Sequence, residues 1–261
     1  MKHLVWIFVG LLALAAAASA DWGDPIKWDQ LAPGIDQLGA LSMIDDAAGV
    51  ALCADDFACT EPGWITDMHF AGNVSSVDKL VGFRVTFWSD TPTTPNDESH
   101  PNGLIYDQTF TKADPDDPLK LGWQQMTDGT WRIDIPQPLW FEQEGTATNP
   151  SVYWVGIQGV FANDNHQGLF IWRFADRNLP TWGDDAAFRS PDQDTEPWSH
   201  WGWPSSQPGA AAALYDGSLP QGWWKSTDMA FELSGRAIPE PGTIALLASG
   251  LAVLGMVRRR K

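Results

Sequence analysis

The chain has 261 residues, 16 of them Lys or Arg and 33 Asp or Glu, for a formal net charge of -17. That balance argues against nucleic acid, whose phosphates need clustered basic side chains, and against docking on an anionic membrane surface. An apolar share of 44% is enough for a packed core and too high for a disordered chain. The 16 tryptophans are several times ordinary usage, and that excess needs a physical reason.

At the N-terminus, Met1-Lys2-His3 carries positive charge and Leu4 to Ala18 is apolar or small. Ala18-Ser19-Ala20 has the small-x-small form of a signal-peptidase site. Residues 1–20 therefore read as a secretory signal, with signal peptidase as a partner and residues 21–238 as the mature body. A permanent anchor is the alternative, but the apolar run is short for a span of ~20 residues. Removing both chain ends leaves 11 basic and 32 acidic residues, a body charge near -21. Such a surface favours a soluble exported protein.

A helical turn or two is expected between Ile35 and Ala47. Cys53 and Cys59 are the only cysteines. Exported chains with two cysteines most often pair them, so a disulfide pinning the start of a strand is expected. Closing so small a loop would stabilise the fold by roughly 2–2.5 kcal/mol. A reactive thiol pair is disfavoured, because nothing basic flanks either sulfur to depress its pKa.

Beyond the cysteines the periodicity is that of β-structure. Val81, Phe83, Val85 and Phe87 alternate with Gly82, Arg84, Thr86 and Trp88. Ser151 to Val160 is nearly all apolar, as expected of a strand buried on both faces. Ile65–Phe70, Leu104–Phe110, Trp131–Ile135, Leu169–Ala175 and Met229–Ser234 are further strands. Turn-forming clusters at Ser89–Gly103, Ala113–Pro118, Asn163–Gly168 and Pro191–Pro208 separate them. The pattern predicts an all-β fold, a single antiparallel sandwich or jelly-roll-like domain.

Catalytic signatures are missing from the sequence: there is no G-x-S-x-G, H-E-x-x-H, P-loop or G-x-G-x-x-G. His69, His100, His166 and His200 lack metal-ligand spacing to one another or to a cysteine, so no zinc site is expected. His69 falls in an alternating strand and reads as a packing or surface residue. The acid pairs Asp45-Asp46, Asp55-Asp56, Asp116-Asp117 and Asp184-Asp185 could supply two facing carboxylates for glycan hydrolysis. Asp55 and Asp184 read more simply as turn residues that hydrogen-bond backbone amides. Asn163-Asp164-Asn165 offers oxygens to structural Ca²⁺, although a polar hairpin turn is the favoured reading and no other cofactor is expected.

Fifteen tryptophans lie in the body. Trp154 and Trp172 sit in apolar runs and read as core. Trp198, Trp201 and Trp203 occur as Trp-Ser-His-Trp-Gly-Trp-Pro in a loop, and Trp223-Trp224 follow another Gly/Pro turn. Loop rings can stack on the apolar faces of sugars, so these five form the candidate ligand site. The competing reading, and the favoured one, folds them over the sandwich end as a cap.

At the C-terminus, Pro239-Glu240-Pro241 precedes sixteen uncharged residues, Gly242 to Val257, and then Arg258-Arg259-Arg260-Lys261. As a helix the apolar run would span about 24 Å, a short membrane segment that Arg snorkelling could complete. The basic cluster should remain cytoplasmic and the body outside. The tripeptide, short helix and basic tail together resemble the PEP-CTERM sorting signal of Gram-negative bacteria. That resemblance implies export to the cell surface or extracellular matrix, transient anchoring through 242–257, and removal of the segment by an exosortase acting at Pro239-Glu240-Pro241. It also implies an association with exopolysaccharide.

The body carries a second resemblance. Ala54-Asp55-Asp56-Phe57-x-Cys59-Thr60, Gly63-Trp64-Ile65-Thr66-Asp67, Phe87-x-Ser89-Asp90-x-Pro92 and Thr227-Asp228-Met229-Ala230-Phe231 are similar to an uncharacterised family of secreted bacterial β-domains. So are Gly145-Thr146-(x)3-Pro150-x-Val152-Tyr153-Trp154 and Trp182-Gly183-Asp184-Asp185-Ala186. That family supplies no catalytic residues. The expectation is a non-enzymatic exported surface or matrix protein, with polysaccharide binding as its candidate activity. A secreted glycan hydrolase with unidentified carboxylates and a purely structural surface protein are the alternatives.

Overall fold

The computed structural model describes residues 24–31, 39–45, 49–92, 99–114, 116, 122–162, 168–175, 186–189, 199–200 and 228–237. The described strands, in chain order, are β1 (Ile26–Asp29), β2 (Gly39–Leu41), β3 (Met43–Asp45), β4 (Gly49–Cys59) and β5 (Gly63–Val74). There follow β6 (Leu80–Thr91), β7 (His100–Thr111), β8 (Trp123–Gln125), β9 (Thr130–Asp134) and β10 (Phe141–Gln143). The last five are β11 (Ser151–Phe161), β12 (Phe170–Arg173), β13 (Ala187–Arg189), β14 (Ser199–His200) and β15 (Phe231–Ala237).

These strands form two sheets, as the alternation predicts. In the first, β5 is the spine of the order β1-β15-β5-β12-β2. β15 pairs with residues 63–70 of β5, so β10 and β9, which pair with the same stretch, occupy its other edge. β8 adds to β9. The second sheet runs β14-β13-β4-β3-β11-β6-β7, antiparallel except for the β3–β11 pair.

One apolar core fills the space between the sheets. Ile65, Met68, Phe70, Ile133, Phe231 and Leu233 face Phe57, Phe83, Val85, Phe87, Val155 and Ile157, and all are buried. Aromatic rings dominate it: Phe70 meets Phe83 edge-on at 4.9 Å, and Phe87 stacks on Phe141 at 4.2 Å. Trp123, Trp131 and Trp172 are fully buried here, which accounts for part of the tryptophan excess by packing alone. The indole N–H of Trp131 donates to the Gly72 carbonyl at 2.8 Å, and that of Trp172 to the Ala230 carbonyl at 3.2 Å.

β11 is buried on both faces from Trp154 to Gly159, as its unbroken apolar run requires. Trp154 faces away from the main core into a second cluster with Leu52, Ala54, Ala187 and the half-buried Trp88. Along β6, Phe83, Val85 and Phe87 are buried, but Val81 is exposed. A register shift between Val160 and Phe161 opposite this point gives Leu80 the buried place instead.

Two expectations fail. The first is the disulfide: Cys53 and Cys59 are both buried free thiols. They lie six residues apart on the single extended strand β4, about 20 Å at 3.3 Å per residue. A disulfide needs Cα atoms within about 7 Å, so no bond can form. Each sulfur is instead directed at a carbonyl, Cys53 at Leu41 and Cys59 at Glu61. The second is helix near Ile35–Ala47. Its described part forms β2 and β3, paired to β12 and to β4 and β11. Gly39 explains the preference: a Cβ there would sit 2.1 Å from the Trp172 carbonyl oxygen, so only glycine allows this close pairing.

Candidate polar face on the first sheet

A bulge creates this site. Between Ser234 and Gly235 the β15–β5 register shifts, leaving Thr66 as an extra residue in β5. Ile65, Met68 and Phe70 therefore all point inward, while Trp64, Asp67 and His69 share the outer face. The neighbouring strands obey the same division. In β9, Trp131 and Ile133 point in while Arg132 and Asp134 point out; in β15, Phe231 and Leu233 point in while Glu232 points out.

Register then assembles rows across five strands. Asp29 of β1, Glu232 of β15, His69 of β5, Arg132 of β9 and Gln124 of β8 are successive cross-strand partners. The adjacent row is Ser234, Asp67 and Asp134. Next comes Arg236, Trp64 and Glu142.

Arg132 organises the centre. It is 3% exposed, and its Nε donates to Asp134 Oδ1 at 2.8 Å. Gln124 Nε2 donates to the other Asp134 oxygen at 3.4 Å. His69 Nδ1 lies 3.3 Å from Glu232 Oε1, and its Nε2 lies 4.0 Å from Asp67 Oδ1.

Burial sets the protonation of this group. It pushes the Asp67 carboxyl above the usual aspartate range, with Arg132 opposing. Asp134 is raised by the same cause against the same guanidinium. Glu232 is raised by burial and by the nearby Asp29 and Asp67 charges. Burial and the Arg132 charge push His69 down, which favours its neutral form despite two acidic neighbours.

An aromatic pair borders the rows. Trp140 follows the 3-10 turn Gln137–Leu139 and lies against Trp64 with ring centres 6.0 Å apart. The Arg236 guanidinium sits 5.3 Å from the Trp140 ring centre, and its Nε donates to both Asp24 oxygens at 2.9 Å. Thr66 Oγ1 also donates to Asp24, at 2.8 Å. Both rings are half-buried, leaving part of each surface open. The face thus sets partly open indoles beside carboxylates, a neutral imidazole, an amide and two guanidiniums. Asp67, Arg132 and Asp134 are buried beneath this face; the partly exposed Trp64, Trp140, Gln124, His69, Glu232 and Arg236 are the groups that can meet a ring face or a hydroxyl.

Trp198, Trp201, Trp203, Trp223 and Trp224 lie outside the described residues, as do Ala18, Ala20, Pro239, Glu240 and Pro241. The Asn163–Asn165 segment and Asp184-Asp185 also lie outside them. His69, read from the sequence as a packing or surface residue, is partly exposed on the outer face, between Glu232 and Arg132 in the longest row. Asp55 does bind backbone amides, those of Met229 and Asp56, but from the middle of β4 and not from a turn. It is fully buried, also accepts from the Gln30 side-chain amide, and is pushed well up by burial and by Asp228 and Asp56. Among the described residues, no group of three or more His, Cys, Asp or Glu could hold a metal ion.

The family model described as Domain of unknown function (DUF7901) matches residues 26–234, which is most of the chain and nearly all of both sheets. The chain belongs to this family. A second model, the PEP-CTERM protein-sorting motif, matches residues 237–261. It identifies an exported protein that is transiently membrane-anchored before an exosortase processes it. No curated protein and no solved structure matches the chain.

Proposed function

We propose that the mature body is a non-enzymatic component of the cell surface or extracellular matrix that binds polysaccharide. The basic C-terminal tail stays in the cytoplasm until processing, and signal peptidase removes residues 1–20. The observation that carries the binding reading is the outer face of the first sheet. There Trp64 and Trp140 border Asp67, His69, Arg132, Asp134 and Glu232. Aromatic rings beside hydrogen-bonding side chains are the means by which proteins hold sugars. The loop tryptophans Trp198, Trp201, Trp203, Trp223 and Trp224 are the second candidate contact set, carried by sequence alone.

A hydrolase reading has one observation in its favour. Asp67 and Asp134 are direct partners across β5 and β9, and burial raises both carboxyls. A glycosidase uses two such carboxyls, one of them with a raised pKa. The Arg132 clamp on Asp134 favours a structural carboxylate instead. One experiment separates the readings. The mature protein is tested for retention on a panel of insoluble bacterial and plant polysaccharides, with assay of released reducing ends. Retention without release supports binding. Release that disappears in Asp67→Asn supports hydrolysis. No retention on any polysaccharide leaves a structural surface protein.

A further inference from the structure

The sorting motif begins where the sheet ends. Ala237 is the last residue of β15, is paired with Gly63, and is the first residue matched by the PEP-CTERM model. Only Ile238 separates it from Pro239-Glu240-Pro241. The folded domain is therefore joined to its processing site without a linker. Gly242, where the apolar run starts, is five residues beyond Ala237, a reach of at most about 18 Å.

The N-terminal end of the body leaves from the same rim. Gly235 N–H donates to the Pro25 carbonyl at 3.0 Å, and Arg236 clasps Asp24 through both carboxylate oxygens. Asp24 is four residues past Ala20, a reach of at most about 14 Å. The strand end is also held tightly: a Cβ on Gly235 would lie 2.0 Å from the Trp64 carbonyl oxygen. Beside it opens a cavity of about 230 Å³ lined by Lys27, Thr60, Glu61, Gln143 and Ala237 among others.

We infer that this rim, built from residues 24–27, 60–61, 143 and 235–237, is the surface that the precursor presses against its membrane-embedded sorting protease. The tether is too short for the body to stand off while Pro239-Glu240-Pro241 is engaged at the membrane. The opposite end, at Ser75–Lys79, lies about 36 Å away along β5 and faces away from the membrane. The inference rests on chain geometry and the sorting motif and is independent of the polysaccharide reading.

Site-specific photocrosslinking in the exporting host tests it. A photoreactive residue replaces Thr60 or Glu61 on the rim, or Ser76 or Val77 at the far end, in the full-length precursor. The precursor is expressed with a catalytically inactive sorting protease, so that the complex accumulates. Adducts with the protease are expected from the rim positions and not from the far end. Ten Gly/Ser residues inserted between Ala237 and Ile238 should abolish the rim adducts. Equal adducts from both ends, or none from the rim, would overturn the inference. Rim adducts that survive the spacer would overturn it too, since the short tether would not be their cause.

Discussion

β5 and β11 are both central strands, yet their outer faces differ. β11 puts Trp154 outward into a fully buried cluster with Leu52, Ala54 and Ala187. Its indole N–H donates to Asp90 at 2.8 Å, so even the polar atom is internally satisfied. β5 puts Trp64, Asp67 and His69 outward among ionisable side chains. The same strand geometry therefore packs an apolar cluster on one side of the sandwich and sets out a polar, ionisable face on the other. A buried indole tied to a protein acceptor is fixed as structure; a half-open indole beside hydrogen-bonding groups keeps a surface to offer.

Mutation should expose that asymmetry in stability. Trp154→Ala should cost about 3–5 kcal/mol, as for a large buried ring, measured by urea unfolding. Trp64→Ala, removing a half-buried ring, should cost about 1 kcal/mol. Equal costs would erase the distinction between the two faces. Arg132→Ala should cost about 3 kcal/mol, because it strands the buried Asp134 and Asp67 without their cation.

The pH dependence of stability sharpens the comparison. Asp55, Asp67, Asp134 and Glu232 all have folded-state pKa values above their ordinary ones. The folded chain therefore keeps protons that the unfolded chain releases, and these four groups lower stability as pH rises above the ordinary carboxylate range. Asp107 and Asp128, both lowered by hydrogen bonds, act oppositely: their contribution is lost as pH falls through their depressed values. Asp55→Asn should flatten the fall in thermal midpoint with rising pH, since asparagine keeps an acceptor for Met229 N–H and does not ionise. An unchanged slope would contradict the assignment to Asp55.

A smaller effect concerns the cysteines. Alkylation of the denatured, unreduced mature protein should modify both Cys53 and Cys59, and reductant should add nothing. In the folded protein both should react slowly, because burial raises both thiols.

The inner core was legible in the sequence because Phe83, Val85 and Phe87 keep a period of two. The outer face was hidden by a phase change. Trp64 and Asp67 differ in parity, and only the bulge at Thr66 brings them to one side. Their partners on β15 are separated from them by most of the chain, so no local pattern announces the rows. The disulfide expectation went wrong for a related reason. Asp55, between the two cysteines, reads as a turn residue, whereas Ala54-Asp55-Asp56 extends through the middle of β4, with Asp55 satisfied by Gln30 and Met229 from distant segments.

The most direct test of the proposal that the outer face of the first sheet binds polysaccharide is calorimetric titration of the mature protein with a soluble form of whichever polysaccharide retains it. The double variant Trp64→Ala, Trp140→Ala is compared with the triple variant Trp198→Ala, Trp201→Ala, Trp203→Ala, each checked for retained folding. Loss of binding in the double variant with binding intact in the triple one is the predicted result. Binding that survives the double variant and vanishes in the triple one would contradict it and move the site to the loop.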